Sequence, residues 1–141
     1  MKKKDYIPEF WQCVIDSSSL INIDRNAGIR KLEKKKGMVL IPERVVYEVA
    51  EDPRIKRTDR LRIFVLQNIE MKTVFQNNEA DEYLRILKQP GIDSGEAAAM
   101  AIALVRKLPL VVDERETKAT GKAKNHGIET LSWRDFLSGK I

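Results

Sequence analysis

Acidic residues stand at both ends of one apolar stretch in this 141-residue chain, Asp93-Ser-Gly-Glu96 before it and Asp113-Glu114 after it. A further acid, Asp16, closes the apolar run Cys13-Val14-Ile15. Carboxylates gathered at one place repel, raise one another's pKa and cost stability unless divalent cations neutralise them. A cluster without His or Cys suits the hard cations Mg²⁺ or Mn²⁺ and excludes a typical zinc site. Mg²⁺ held by few carboxylates keeps positions open for water and phosphate, the arrangement used to hydrolyse phosphodiesters. The same residues also have a purely structural explanation, with Asp93 and Glu96 forming a helix capping box and Asp113 and Glu114 lying in a loop.

The elements that would position these acids follow from the apolar pattern. Ala97 to Val105 is alanine-rich and wholly apolar, which predicts a buried central helix, started by Asp93 and Glu96 and ended by Pro109. Leu110-Val111-Val112 then reads as a buried parallel strand. Trp11 to Ile15 is a first strand ending at Asp16, and Ser17-Ser18-Ser19 offers cap oxygens for a helix through Leu20, Ile21 and Ile23. Met38 to Ile41 is a second strand, with Pro42 opening a helix whose apolar face carries Val45, Val46, Val49 and Ala50. Glu48 falls on the shoulder of that face, with Asp52 beside it.

Residues 57 to 67 form the next predicted helix, built on Leu61, Phe64 and Val65, and Ile69 to Val74 the third strand. Asn77 and Asn78 cap a helix through Tyr83, Ile86 and Leu87, halted by Pro90-Gly91. Near the end come a basic helix over Thr117 to Asn125 closed by Gly127, a strand from Ile128 to Leu131, and a short helix capped by Ser132. Alternation of strands and helices predicts an α/β fold of three layers, α/β/α, with a central, mostly parallel five-stranded sheet. The loops after parallel strands share one edge, where ligand crevices form, so Asp16 and Asp113 are expected to be neighbours.

Length fits a single domain over residues 1–141, with residues 1–10 as a loosely held arm. The one cysteine, Cys13, excludes an intramolecular disulfide and reads as a core residue. A reducing cytoplasm fits this usage, and no apolar run nears the roughly 20 residues of a membrane span. Net charge is +5, with 15 Lys or Arg against 10 Asp or Glu in residues 1–62 and 11 of each thereafter. Arg54, Lys56, Arg57, Arg60 and Arg62 are therefore candidates to meet phosphates, the alternative being a solvated face. His126 reads as a favourable charge near a helix C-terminus.

Val14-Ile15-Asp16-Ser17-Ser18-Ser19-Leu20-Ile21, Ile41-Pro42-Glu43-Arg44-Val45-Val46-Tyr47-Glu48, Gly95-Glu96-Ala97-Ala98-Ala99-Met100-Ala101-Ile102-Ala103 and Leu110-Val111-Val112-Asp113-Glu114 resemble, in this order, the motifs of PIN domains. Within that superfamily the chain is most similar to the toxin-like, VapC-type nucleases of prokaryotic toxin and antitoxin pairs. The resemblance spans residues 11 to 137.

It implies a ribonuclease dependent on Mg²⁺ or Mn²⁺, in which Asp16, Glu96 and Asp113 are metal ligands and Glu48 holds water or a second ion. At the third position many members have Asp where this chain has Glu96, and Asp93 stands near as a substitute. Asp113 and Glu114 both match the last acid. Ser18 matches a small polar position beside the first Asp, there either to orient it or only to cap its helix. An RNA substrate, a homodimer and a possible antitoxin partner are implied as well.

Three other readings compete. A PIN nuclease of ribosomal-RNA maturation shares the same chemistry. A PIN-like module that binds RNA or a partner without cutting shares only the fold. A receiver-like signalling domain with Mg²⁺ is disfavoured, because Ser17 follows Asp16 where receivers have a second acid, and Thr130-Leu131-Ser132 lacks their lysine.

Overall fold

The structure is a computed structural model that describes residues 11–113 and 117–139, with the backbone alone for residues 117–120. The expected arm at residues 1–10 and the candidate Glu114 lie outside the described residues. Five parallel strands, β1 (Cys13–Ile15), β2 (Val39–Pro42), β3 (Lys72–Thr73), β4 (Leu110–Val112) and β5 (Thr130–Ser132), form one sheet in the order β3-β2-β1-β4-β5. The expected "mostly parallel" sheet is thus parallel throughout these strands. No helix among the described residues is long and apolar enough to cross a membrane.

Period-two alternation along the strands divides the core into two layers. Cys13 and Ile15 of β1 and Val111 of β4 point to one face. There they meet α1 (Ser17–Arg25), α2 (Ile29–Lys34), α3 (Glu43–Ala50), α4 (Asp59–Gln67) and α8 (Trp133–Ser138). Val14, Leu110 and Val112 point to the other, against α5 (Glu79–Leu87), α6 (Ser94–Arg106) and α7 (Thr117–Asn125). Helix α6 is the buried central helix expected, with Ala97 through Ala103 at most 1% exposed. Its alanines pack against α5 and against Val14, Leu110 and Val112 of β1 and β4.

Several local expectations need correction. Helix α1 is capped by Asp16 itself, whose carboxylate accepts from Ser19 N, and the three serines make up its first turn. Helix α6 stops at Lys107, which adopts a left-handed backbone (φ 58°) two residues before Pro109. Asn78 occupies the N-cap of α5 without a side-chain bond, and the buried Glu79 carboxylate accepts from Gln76 N instead. The third strand is only two residues, preceded by a 3₁₀ turn over Ile69–Met71. Helix α2 was not foreseen at all.

The short edge strand β3 is fastened by a buried ion pair. Arg106, last in α6, donates from Nε to Glu79 Oε2 at 2.7 Å, from Nη1 to Thr73 Oγ1 at 2.9 Å and from Nη2 to the Val74 carbonyl at 2.8 Å. Glu79 is fully buried, so removing Arg106 would strand a charge, which costs about 3–5 kcal/mol. Cys13 is equally buried, and desolvation pushes its thiol up to about 12, leaving it inert at neutral pH.

Candidate metal centre

Because all strands run parallel, their carboxyl ends share one edge. β1 and β4 are adjacent with Ile15 opposite Val111, which sets Asp16 level with Val112 and puts Asp113 one residue beyond. Both aspartates are buried, at 6% and 3% exposure.

Each is held by the start of the next helix. Asp16 Oδ1 accepts from Ser19 N at 3.0 Å and from Ser18 Oγ at 3.2 Å. Asp113 Oδ2 accepts from Asn22 Nδ2 at 2.9 Å, while Arg134 Nη1 lies 3.6 Å from Oδ1. Ser19 Oγ donates to the Val111 carbonyl at 3.1 Å, laying α1 across the end of β4.

Glu48 enters from α3 and is buried, so it faces inward from the shoulder position read in the sequence. Ser17 Oγ donates to its Oε1 at 3.0 Å. The three consecutive serines therefore serve three different acceptors: Glu48, Asp16 and Val111. Burial raises the Glu48 pKa above its ordinary value. The Ser17 bond opposes that rise, and the neighbouring Asp93 charge adds to it. Asp52, one turn on, behaves oppositely: hydrogen bonds from Arg54 hold it down to about 2.

The first turn of α6 completes the edge. Asp93 is its N-cap and accepts from Glu96 N at 2.8 Å, the cap foreseen for it. Gly95 meets Glu48 so closely that a Cβ there would fall 1.7 Å from Oε1. Glu96 is half-buried in the same turn.

Among the described residues, no group of three or more His, Cys, Asp or Glu side chains is placed to hold a metal ion. The donor chemistry nevertheless fits a divalent cation. Asp16, Glu48, Glu96 and Asp113 are oxygen donors only, two from strand ends and two from helices facing the same edge, and Gly95 leaves the room that one of them occupies.

The sequence reading missed Ser17, Asn22 and Arg134. Only Ser17, beside an already suspected acid, carried a signal that could have found it. The basic candidates are largely engaged within the chain. Arg54 pairs with Asp52 at 2.8 Å and Arg60 with the buried Asp24 at 2.8 Å. Arg57 donates to the carbonyls of Asp52, Ile55 and Ala50, and Arg62 to that of Ala50. Lys56 is exposed. His126 Nε2 lies 3.0 Å from Gln89 Oε1, away from the acids.

The family model described as "PIN domain" matches residues 12–131. No curated protein matches the sequence. Among solved structures, the crystal structure of PAE2754 from Pyrobaculum aerophilum is similar, with a TM-score of 0.62 at 19% identity, over 91% of this chain and 95% of that one. That likeness extends to the fold.

Proposed function

The chain belongs to the PIN domain family, and from that premise we propose that it is an endoribonuclease dependent on Mg²⁺ or Mn²⁺. PIN domains are generally nucleases and usually bind divalent metals. The observation that carries the proposal is the carboxyl edge of the sheet, where Asp16 and Asp113 end adjacent strands, Glu48 lies against the first turn of α6, and each of the three is buried. Burying acids is costly unless an ion or a hydrogen-bond network compensates.

Asp16, Glu96 and Asp113 would hold the cation, with Asp93 beside Glu96 as an additional acid and Glu114 as the alternative match to the last acid of the motif. When bound, it supplies Lewis acidity to the phosphoryl oxygens and lowers the pKa of water. The chain's own residues do the positioning. Ser18 and the Ser19 amide orient Asp16, Asn22 orients Asp113, and Ser17 with Gly95 fixes where Glu48 can stand. Glu48 orients the water, which attacks phosphorus in line. As the water bonds to phosphorus it gives up a proton to solvent, the bond from phosphorus to O3′ breaks, and O3′ takes up a proton from solvent, leaving a 5′-phosphate and a 3′-hydroxyl. Arg134 and the basic residues Arg54, Lys56, Arg57, Arg60 and Arg62 supply positive charge for RNA.

For the biological role we propose the toxin of a toxin and antitoxin pair, acting in the cytoplasm as a homodimer with an antitoxin as partner. The motif resemblance supports this role. The test of the activity is cleavage of end-labelled single-stranded RNA. Products should form with Mg²⁺ or Mn²⁺, vanish with chelator, carry 5′-phosphates and be absent for Asp113→Asn. Metal-independent cleavage, or equal cleavage by the variant, would overturn the proposal.

A further inference from the structure

The carboxyl edge holds a second feature beside the acids. Pro42 and Thr73, the last residues of β2 and β3, line a cavity of about 250 Å³ together with Glu43, Arg44, Tyr47, Phe75 and Tyr83. Phe75 and Tyr83 form one wall, ring centroids 5.2 Å apart and tilted at 43°. Tyr47 forms part of the lining with the Arg44 guanidinium 4.9 Å from its ring centroid. Tyr47 and Phe75 remain 40% and 37% exposed, although aromatic rings of this size normally contribute to cores.

Arg44 joins this cavity to the acids. It lies three residues from Tyr47 and four from Glu48 on α3, so all three share one side of the helix. Its Nε donates to Ser94 Oγ at 2.8 Å, in the same turn of α6 that brings Gly95 against Glu48. One cation thus stands between an aromatic cavity and a carboxylate site.

We propose that this cavity receives one unstacked base of single-stranded RNA, with Arg44 meeting the phosphate between that base and the acids. The inference rests on the nuclease reading and adds to it a base subsite on the β2–β3 side of the scissile bond. Three observations favour a base over a protein segment. The volume is below the roughly 300 Å³ at which pockets for drug-sized ligands begin. Its rings offer the faces on which bases stack, whatever their sequence. Of its two charged lining residues, Glu43 lies 4.0 Å from Lys72, while Arg44 is held by Ser94 beside the acids, where a nucleotide carries its charge.

The test is fluorescence anisotropy of short single-stranded RNA in chelator, where binding is read without cleavage. Tyr47→Ala should weaken binding about tenfold, within the range for loss of a stacked base, whereas Tyr47→Phe should retain it. An RNA with abasic sites should bind the parent more weakly and be insensitive to Tyr47→Ala. Equal binding of abasic and normal RNA by the parent, or no effect of Tyr47→Ala, would overturn the subsite. So would loss of self-association in Tyr47→Ala by sedimentation with RNA binding unchanged, since that assigns the cavity to a second copy. If the parent binds RNA through Tyr47 but never cleaves with any metal, the nuclease reading fails and the base subsite stands.

Discussion

Gly95 and Glu48, 47 residues apart in sequence, are in such close approach that the glycine has no room for a methyl group while the carboxylate stays where it is. Gly95 lies in the first turn of α6, where alanine is the better helix former. The residue is therefore explained by what it faces.

Gly95→Ala consequently separates stability from chemistry. Only the far end of the Glu48 side chain must move, so the variant should lose at most about 2 kcal/mol of stability, the lost Ser17 bond being offset in part by alanine's better helix propensity. Displacement of Glu48 breaks its bond to Ser17, and RNA cleavage should fall at least tenfold. A stable variant with full activity would show that the position of Glu48 is immaterial.

What could be read from the sequence was whatever the apolar pattern carries. Leu110–Val112 and Ala97–Ala103 are unbroken apolar runs, and their burial, strand direction and terminal acids followed from that. Helix α2 escaped because only Ile29 and Leu32 of its six residues are buried, within a run of charges that reads as surface. The bond from Asn22 to Asp113 spans 91 residues and leaves no local trace. The basic cluster misled in the opposite way. Asp24 comes from α1, far from the cluster in sequence, and the Ala50 carbonyl is a backbone acceptor freed where α3 ends, so charge alone could not show that Arg57, Arg60 and Arg62 are engaged within the chain.

That engagement changes what charge removal should do. Arg60→Ala leaves the buried Asp24 with Thr58 Oγ1 as its remaining side-chain partner and should lower stability as well as any RNA affinity. Lys56→Ala should leave stability unchanged and reduce the salt slope of RNA binding by about 1. Urea titration alongside binding at several salt concentrations measures both. An unchanged slope for Lys56→Ala, Arg54→Ala and Arg62→Ala alike would assign the cluster to structure.

The pH dependence in metal-free buffer has a definite sign. Glu48 has a folded pKa raised above its ordinary 4.5, so the folded state holds the proton more tightly. Its contribution must decline as pH rises from 4.5 through the raised value. Asp52 runs the other way, stabilising above its ordinary 3.8 and losing that as pH falls toward about 2. Urea midpoints measured as pH rises from 4.5 should therefore fall for the parent through the raised Glu48 value and flatten for Glu48→Gln. Parallel curves for the two proteins would contradict the buried placement of Glu48.

Asp16 tests the central claim, that the carboxyl edge is a metal site. Asn is as good an N-cap as Asp, so Asp16→Asn preserves the cap of α1 and removes one charge. In chelator the variant should melt at or above the parent temperature, since repulsion among the edge acids is relieved. Millimolar Mg²⁺ or Mn²⁺ should then raise the parent's melting temperature through binding to the folded state, with a much smaller rise for the variant. Equal metal shifts in the two proteins would contradict the site.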